Sequence, residues 1–219
     1  MISSQFPRKK FVTPEWILQS KCNISSVSVL LVDANLISPA LEAACQVAIK
    51  YNIPVRFEPV LVAKSTRITT VVNNVTSASP NEDELIVMAN ALSCGNMFHP
   101  IEKDNSKNRS TESSFQILKS AILVLLEKGI KVVVVTLAAY GVNLERTKKY
   151  GISRWLYDIV ASSCPSSKFL GAMQAQGSSH LFAVHFPALP SSVVRLTGAG
   201  DCLVDDARLV YSAAKVLLL

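Results

Sequence analysis

Short aliphatic runs alternate with longer amphipathic stretches from Ser26 onward, and this alternation constrains the fold more than any other feature. Val27–Val32 reads as a strand ending at Asp33, and Pro39–Tyr51 follows with Leu41, Ala44, Cys45, Ala48 and Ile49 at helical spacing. Pro54–Val60 is a second strand, Thr66–Asn74 a shorter helix, and Val75–Ala78 a third strand closed by Ser79-Pro80. Asn81 is placed to cap a helix that begins Glu82-Asp83-Glu84 and runs to about Ser93. A polar loop, Cys94–Arg109, leads to a helix over Thr111–Lys128 that Thr111 caps and Gly129 stops. Lys131–Thr136 is then a strand, Ala138–Gly141 a tight turn, and Val142–Leu144 a short strand. Glu145–Ser179 is Ser-, Lys- and Gly-rich and predicts an irregular insertion at about 145–180, before strands at Leu181–Phe186 and Ser192–Leu196.

Strand–helix–strand order with β-branched, non-alternating strands predicts an α/β fold: a doubly wound, mostly parallel sheet with helices on both faces, a three-layer α/β/α arrangement. Residues 1–25 read as an N-terminal extension and residues 26–219 as the domain. Right-handed crossovers put the C-terminal ends of the strands on one edge, where open α/β sheets bind ligands. Asp33, Glu58, Asn81, Glu84 and Thr136 all fall at or just beyond such ends.

Composition removes several function classes. At 49% hydrophobic over 219 residues the chain can fill a core, and its longest aliphatic runs are far shorter than the ~20 residues a spanning helix needs. The formal charge of +6 comes from scattered Lys and Arg without a basic stripe interleaved with aromatics, so neither nucleic acid nor membrane is expected as a partner. Five widely spaced cysteines, with no CxxC and no matching histidine spacing, favour a reducing intracellular compartment, cytoplasmic by default, over a disulfide scaffold or zinc site.

The sharpest local signal is Thr197-Gly198-Ala199-Gly200-Asp201 directly after a strand. It lacks the third glycine of a dinucleotide fingerprint and the GK[ST] of a Walker loop. Its small residues let backbone N–H groups approach an anion, and the aspartate behind them could take a proton from an attacking hydroxyl. A plain glycine turn capped by Asp201 competes with that reading. Asn81-xx-Glu84 could hold a hydrated Mg²⁺ and a phosphate oxygen, although a simple helix cap accounts for the same spacing. Val135–Gly141 could line a nucleotide or be a strand-end turn.

Taken in this order, the three segments resemble the PfkB/ribokinase family of carbohydrate kinases over about Ser26 to Val204. Val32–Leu36, Phe57–Val60, Ser79–Leu85 and Leu196–Val204 look most like the plant pseudouridine kinase branch. The resemblance implies a ribokinase-like fold and ATP- and Mg²⁺-dependent phosphorylation of a ribosyl 5′-hydroxyl, with a nucleoside or sugar as the small-molecule substrate. A monovalent cation is a further cofactor of the family. It implies Asp201 as base, the N–H groups of Gly198, Ala199 and Gly200 as an anion hole, Thr136, Gly141, Thr197 and Asn81 at the nucleotide, and Glu84 at the metal.

The chain also departs from the family pattern. Residues 1–25 stand where the family carries further strands, the sugar-binding positions and a small β lid, so the kinase domain is expected to be incomplete. Asp205-Asp206 replace a glycine pair where phosphates should sit, and Ala138 replaces the first glycine of the VTxGxxG segment. Two outcomes follow: a kinase, or a truncated product without turnover that keeps at most nucleotide or partner binding. Missing strands would leave an open sheet edge, the expected place for homo-oligomer formation.

Overall fold

The computed structural model describes residues 12–93, 95, 97–99, 111–137, 142–147, 181–186 and 216–218. The expected strand at Ser192–Leu196, the turn at Ala138–Gly141 and the glycine-rich signature lie outside the described residues.

Among the described residues seven strands form one sheet: β1 (Val29–Asp33), β2 (Val55–Glu58), β3 (Ser77–Ala78), β4 (Val132–Thr136), β5 (Val142–Thr147), β6 (Leu181–Phe186) and β7 (Val216–Leu218). Their order is β6-β5-β4-β3-β2-β1-β7. β7, β1, β2, β3 and β4 run parallel, while β4–β5 and β5–β6 are antiparallel. β1 is short and apolar for a reason. All of Val29–Val32 is buried, so both faces of β1 are covered, and alternation has no place in such a strand.

Among the described residues six helical segments connect or precede the strands. These are α1 (Pro14–Gln19), α2 (Lys21–Ser25), α3 (Ser38–Lys50), a 3-10 helix at Val62–Thr70, α4 (Glu82–Leu92) and α5 (Thr111–Glu127), with one further 3-10 turn at Val72–Asn74. Neighbouring segments touch in succession, α1 on α3, α3 on the long 3-10 helix, that helix on α4, and α4 on α5. One core lies between this layer and the sheet. Leu30, Val32, Phe57, Ala78, Val133 and Val135 point into it from alternate strand positions, and Leu41, Ile68, Leu85, Met88, Leu118 and Ile122 meet them from the helices. The N-terminal extension joins in. Thr13 caps α1 through its hydroxyl, and Ile17 and Ile24 are fully buried among the same residues.

Two boundaries and one pairing stand out against the sequence expectation. The segment after β2 is a nine-residue 3-10 helix starting at Val62, four residues earlier than the expected helix at Thr66. Val60, which precedes it, sits at φ +65, a conformation that a β-branched side chain rarely takes. The strand expected over Val142–Leu144 continues to Thr147, so Glu145 to Thr147 belong to β5 and to no insertion. Its pairing with β4, from Thr136↔Val142 to Val132↔Arg146, explains the extension, because a ladder on both sides stabilises residues whose local signal is polar. Finally, β7 pairs with β1 along the edge expected to be open, through Val29↔Val216, Leu30↔Leu217 and Leu31↔Leu218.

Candidate functional site

Parallel register brings the strand ends into line. Asp33, the last residue of β1, lies directly beside Glu58, the last of β2. Both belong to the strand positions that alternate with the core-facing ones, as does Thr136 at the end of β4. The result is a row of polar side chains on one face of the sheet's C-terminal edge.

Asn81 and Thr136 meet beyond the strands. The Thr136 N–H donates to Pro80 O at 3.0 Å, and Asn81 and Thr136 form an isolated parallel bridge that extends the β3–β4 pairing. Two residues 55 positions apart in sequence are thereby neighbours at the edge. Thr136 is half-buried and Asn81 exposed.

Asn81 and Glu84 form a reciprocal cap. The Glu84 N–H donates to Asn81 Oδ1 at 2.9 Å, and the Asn81 N–H donates to Glu84 Oε2 at 2.9 Å. This capping box starts α4, so the structural use of the pair, anticipated from its spacing, is realised. Glu84 is buried at 5% exposure, and burial raises its carboxyl above the ordinary glutamate value. The Asn81 N–H opposes that shift, and the charge of Asp83 adds to it. Oε1 of Glu84 accepts no hydrogen bond from the described residues. A buried carboxylate with one oxygen uncommitted is a group that a nearby cation would relieve, so Glu84 fits a role toward Mg²⁺ while also holding the helix start. Among the described residues no three His, Cys, Asp or Glu side chains converge as a metal cluster.

A second polar group lies on β2 and β3. The Arg56 Nε–H donates to Ser79 Oγ at 3.3 Å, and the Ser79 hydroxyl donates to Glu58 Oε2. Ser79 is 4% exposed, and these two bonds satisfy a hydroxyl that burial would otherwise penalise. A third group follows β1. Asn35 donates to both oxygens of Asp33, from N–H at 2.8 Å and from Nδ2 at 3.1 Å. Lys64 Nζ donates to Asn35 Oδ1 at 2.7 Å, and Arg67 Nη1 donates to Ala34 O and Leu36 O, both at 2.7 Å. Asp33 and Glu58 are legible in the sequence at this edge, whereas Ser79, Lys64 and Arg67 are not. The two cations are three residues apart, a spacing that puts side chains on one face of an α-helix and eclipses them on a 3-10 helix, and it does not by itself say what they face.

Of the nine site residues expected from sequence, Asn81, Glu84 and Thr136 stand together here. Gly141, Thr197, Gly198, Ala199, Gly200 and Asp201 lie outside the described residues.

No family model matches the chain. A curated relative does: the chain is 48% identical over 208 residues to a pseudouridine kinase of Arabidopsis thaliana, across 90% of this chain and 54% of that protein. By sequence, then, the chain is similar to a pseudouridine kinase, in keeping with the resemblance its motifs bear to PfkB/ribokinase carbohydrate kinases. Solved structures agree in fold. A ribokinase of Arabidopsis thaliana complexed with ribose and ATP superposes at a TM-score of 0.56 with 16% identity, covering 88% of this chain and 46% of that one. A Thermotoga maritima ribokinase gives 0.56 at 16% identity, over 94% of this chain and 50% of its own. An adenosine kinase from Sinorhizobium meliloti gives 0.57 at 12%, over 94% and 48%. The α/β fold is ribokinase-like, and the chain spans about half the length of the relatives it matches.

Proposed function

We propose that this chain binds Mg·ATP along the C-terminal edge of its sheet and transfers the γ-phosphoryl group to the ribosyl 5′-hydroxyl of pseudouridine or a related nucleoside or sugar. The observation that carries the reading is the meeting of Asn81, Glu84 and Thr136 at that edge, in a chain 48% identical to a pseudouridine kinase over most of its own length. Asp201 takes the hydroxyl proton as the oxygen attacks phosphorus, the bond to ADP breaks, and ADP leaves. N–H groups of Gly198, Ala199 and Gly200 hold the charge on the transferring group. Thr197, Thr136, Gly141 and Asn81 position the nucleotide. Bound Mg²⁺ would neutralise phosphate charge, and Glu84 is the residue suited to face it.

The test is phosphoryl transfer from ATP to pseudouridine by the full chain, with Asp201→Asn as the control. Turnover that this substitution lowers by about 10²–10⁴ supports the reading. A second reading, binding without turnover, is favoured by one fact: Asp205-Asp206 follow the signature, where two carboxylates would oppose bound phosphates. ATP binding with no product above the Asp201→Asn background would select it.

A further inference from the structure

Lys64 and Arg67 stand three residues apart on a 3-10 helix, where three residues make a full turn and such side chains eclipse. Both reach the same loop, residues 34–36, between β1 and α3. Their acceptors there are neutral: an amide oxygen for the ammonium, two backbone carbonyls for one guanidinium nitrogen. Neither cation is paired with a carboxylate among the described residues. Asp33, two residues before the Asn35 that Lys64 reaches, accepts from Asn35 through both of its oxygens.

Arg67 spends only Nη1 on the loop. Its Nε and Nη2 make no hydrogen bond to the described residues, and these two N–H groups are the side-on pair that matches two oxygens of an oxyanion. Lys64 adds a point charge with two further N–H groups on the same side of the helix. Both side chains are half-buried, so their field is less screened than that of a fully exposed pair. The strained Val60 just upstream fits a segment held in place for a purpose other than packing.

We propose that Lys64 and Arg67 form an anion subsite at the β1 end of the ligand edge, and that it takes a phosphoryl group. It is distinct from the Asn81–Glu84–Thr136 cluster, which lies at β3 and β4, roughly 10–14 Å away at the usual strand spacing. The subsite needs no turnover and no metal.

The experiment follows thermal unfolding of the full chain against inorganic phosphate and, separately, ribose 5-phosphate, each at ionic strength matched with chloride. A melting temperature that rises with either ligand above the chloride control is expected. Lys64→Gln keeps a donor for Asn35, and Arg67→Lys keeps a charge; each is expected to weaken binding about tenfold, the effect of one lost charge-assisted hydrogen bond. Lys50→Gln, a change at the cation over the Tyr51 ring on α3, should leave binding unaltered. The more tightly bound ligand names the source of the phosphoryl group. Responses equal to chloride overturn the subsite, and so do responses that Lys64→Gln leaves intact. If Arg67→Lys does not fold, Lys64→Gln decides alone.

Discussion

Val60 works against folding through its backbone conformation, and Glu84 through its buried charge. At φ +65 a β-branched residue carries strain of about 1–3 kcal/mol that glycine does not. Its side chain is also exposed and contributes little packing. Val60→Gly is therefore expected to raise stability by about 1 kcal/mol after glycine's own entropy cost, read as a higher urea midpoint. Glu84 behaves differently. Burial places its folded-state pKa above the unfolded one, so folding favours the protonated form. Stability from this group is greatest below the unfolded value and is lost as pH rises through the folded value. Glu84→Gln preserves the acceptor for the Asn81 N–H and removes the charge. Its urea midpoint should exceed that of the original chain at pH 7 and approach it at pH 4. If Glu84 faces Mg²⁺, the same variant should lose Mg·ATP binding without losing stability, a split that a purely structural glutamate would not give.

At the scale of elements, what could be read in advance depended on whether a segment's structure is set locally. The capped start of α4 was legible because Asn81 and Glu84 are three residues apart and act on each other. Gly129 was legible as a stop: it takes φ +105 and, with Ile130, returns N–H groups to Leu126 O and Leu125 O. The 3-10 helix was not, because Lys64-Ser65-Thr66-Arg67 has no strong local preference and tertiary bonds to the β1–α3 loop decide it. Nor was the full length of β5, whose polar Glu145 and Arg146 are held by strands on both sides and Thr147 by β6. Asn81→Ala should cost about 1 kcal/mol through the lost cap, whereas Asn81→Asp should cost little. Urea unfolding of both variants checks this. Ligand binding should fall in Asn81→Ala beyond what that loss of stability accounts for.

For the whole molecule, the sheet's order places sequence-distant residues on one edge, and this part of the site was visible in the sequence once strands were assumed parallel. The neighbours of β1 were not, since β7 reaches it from nearly 190 residues away with only three residues of ladder. β7 covers backbone groups of β1 that would otherwise template another strand. Removing residues 216–219 should make the chain associate as its concentration rises, measured by light scattering after size exclusion, while the intact chain stays less associated at equal concentration.

If this edge, with Asn81, Glu84 and Thr136 together, is a nucleotide site, thermal unfolding of the full chain with and without Mg·ATP will report it. A single cooperative melt, shifted upward by Mg·ATP in the original chain and not in Glu84→Gln, is the predicted result. A melting temperature indifferent to Mg·ATP at millimolar concentration would contradict it.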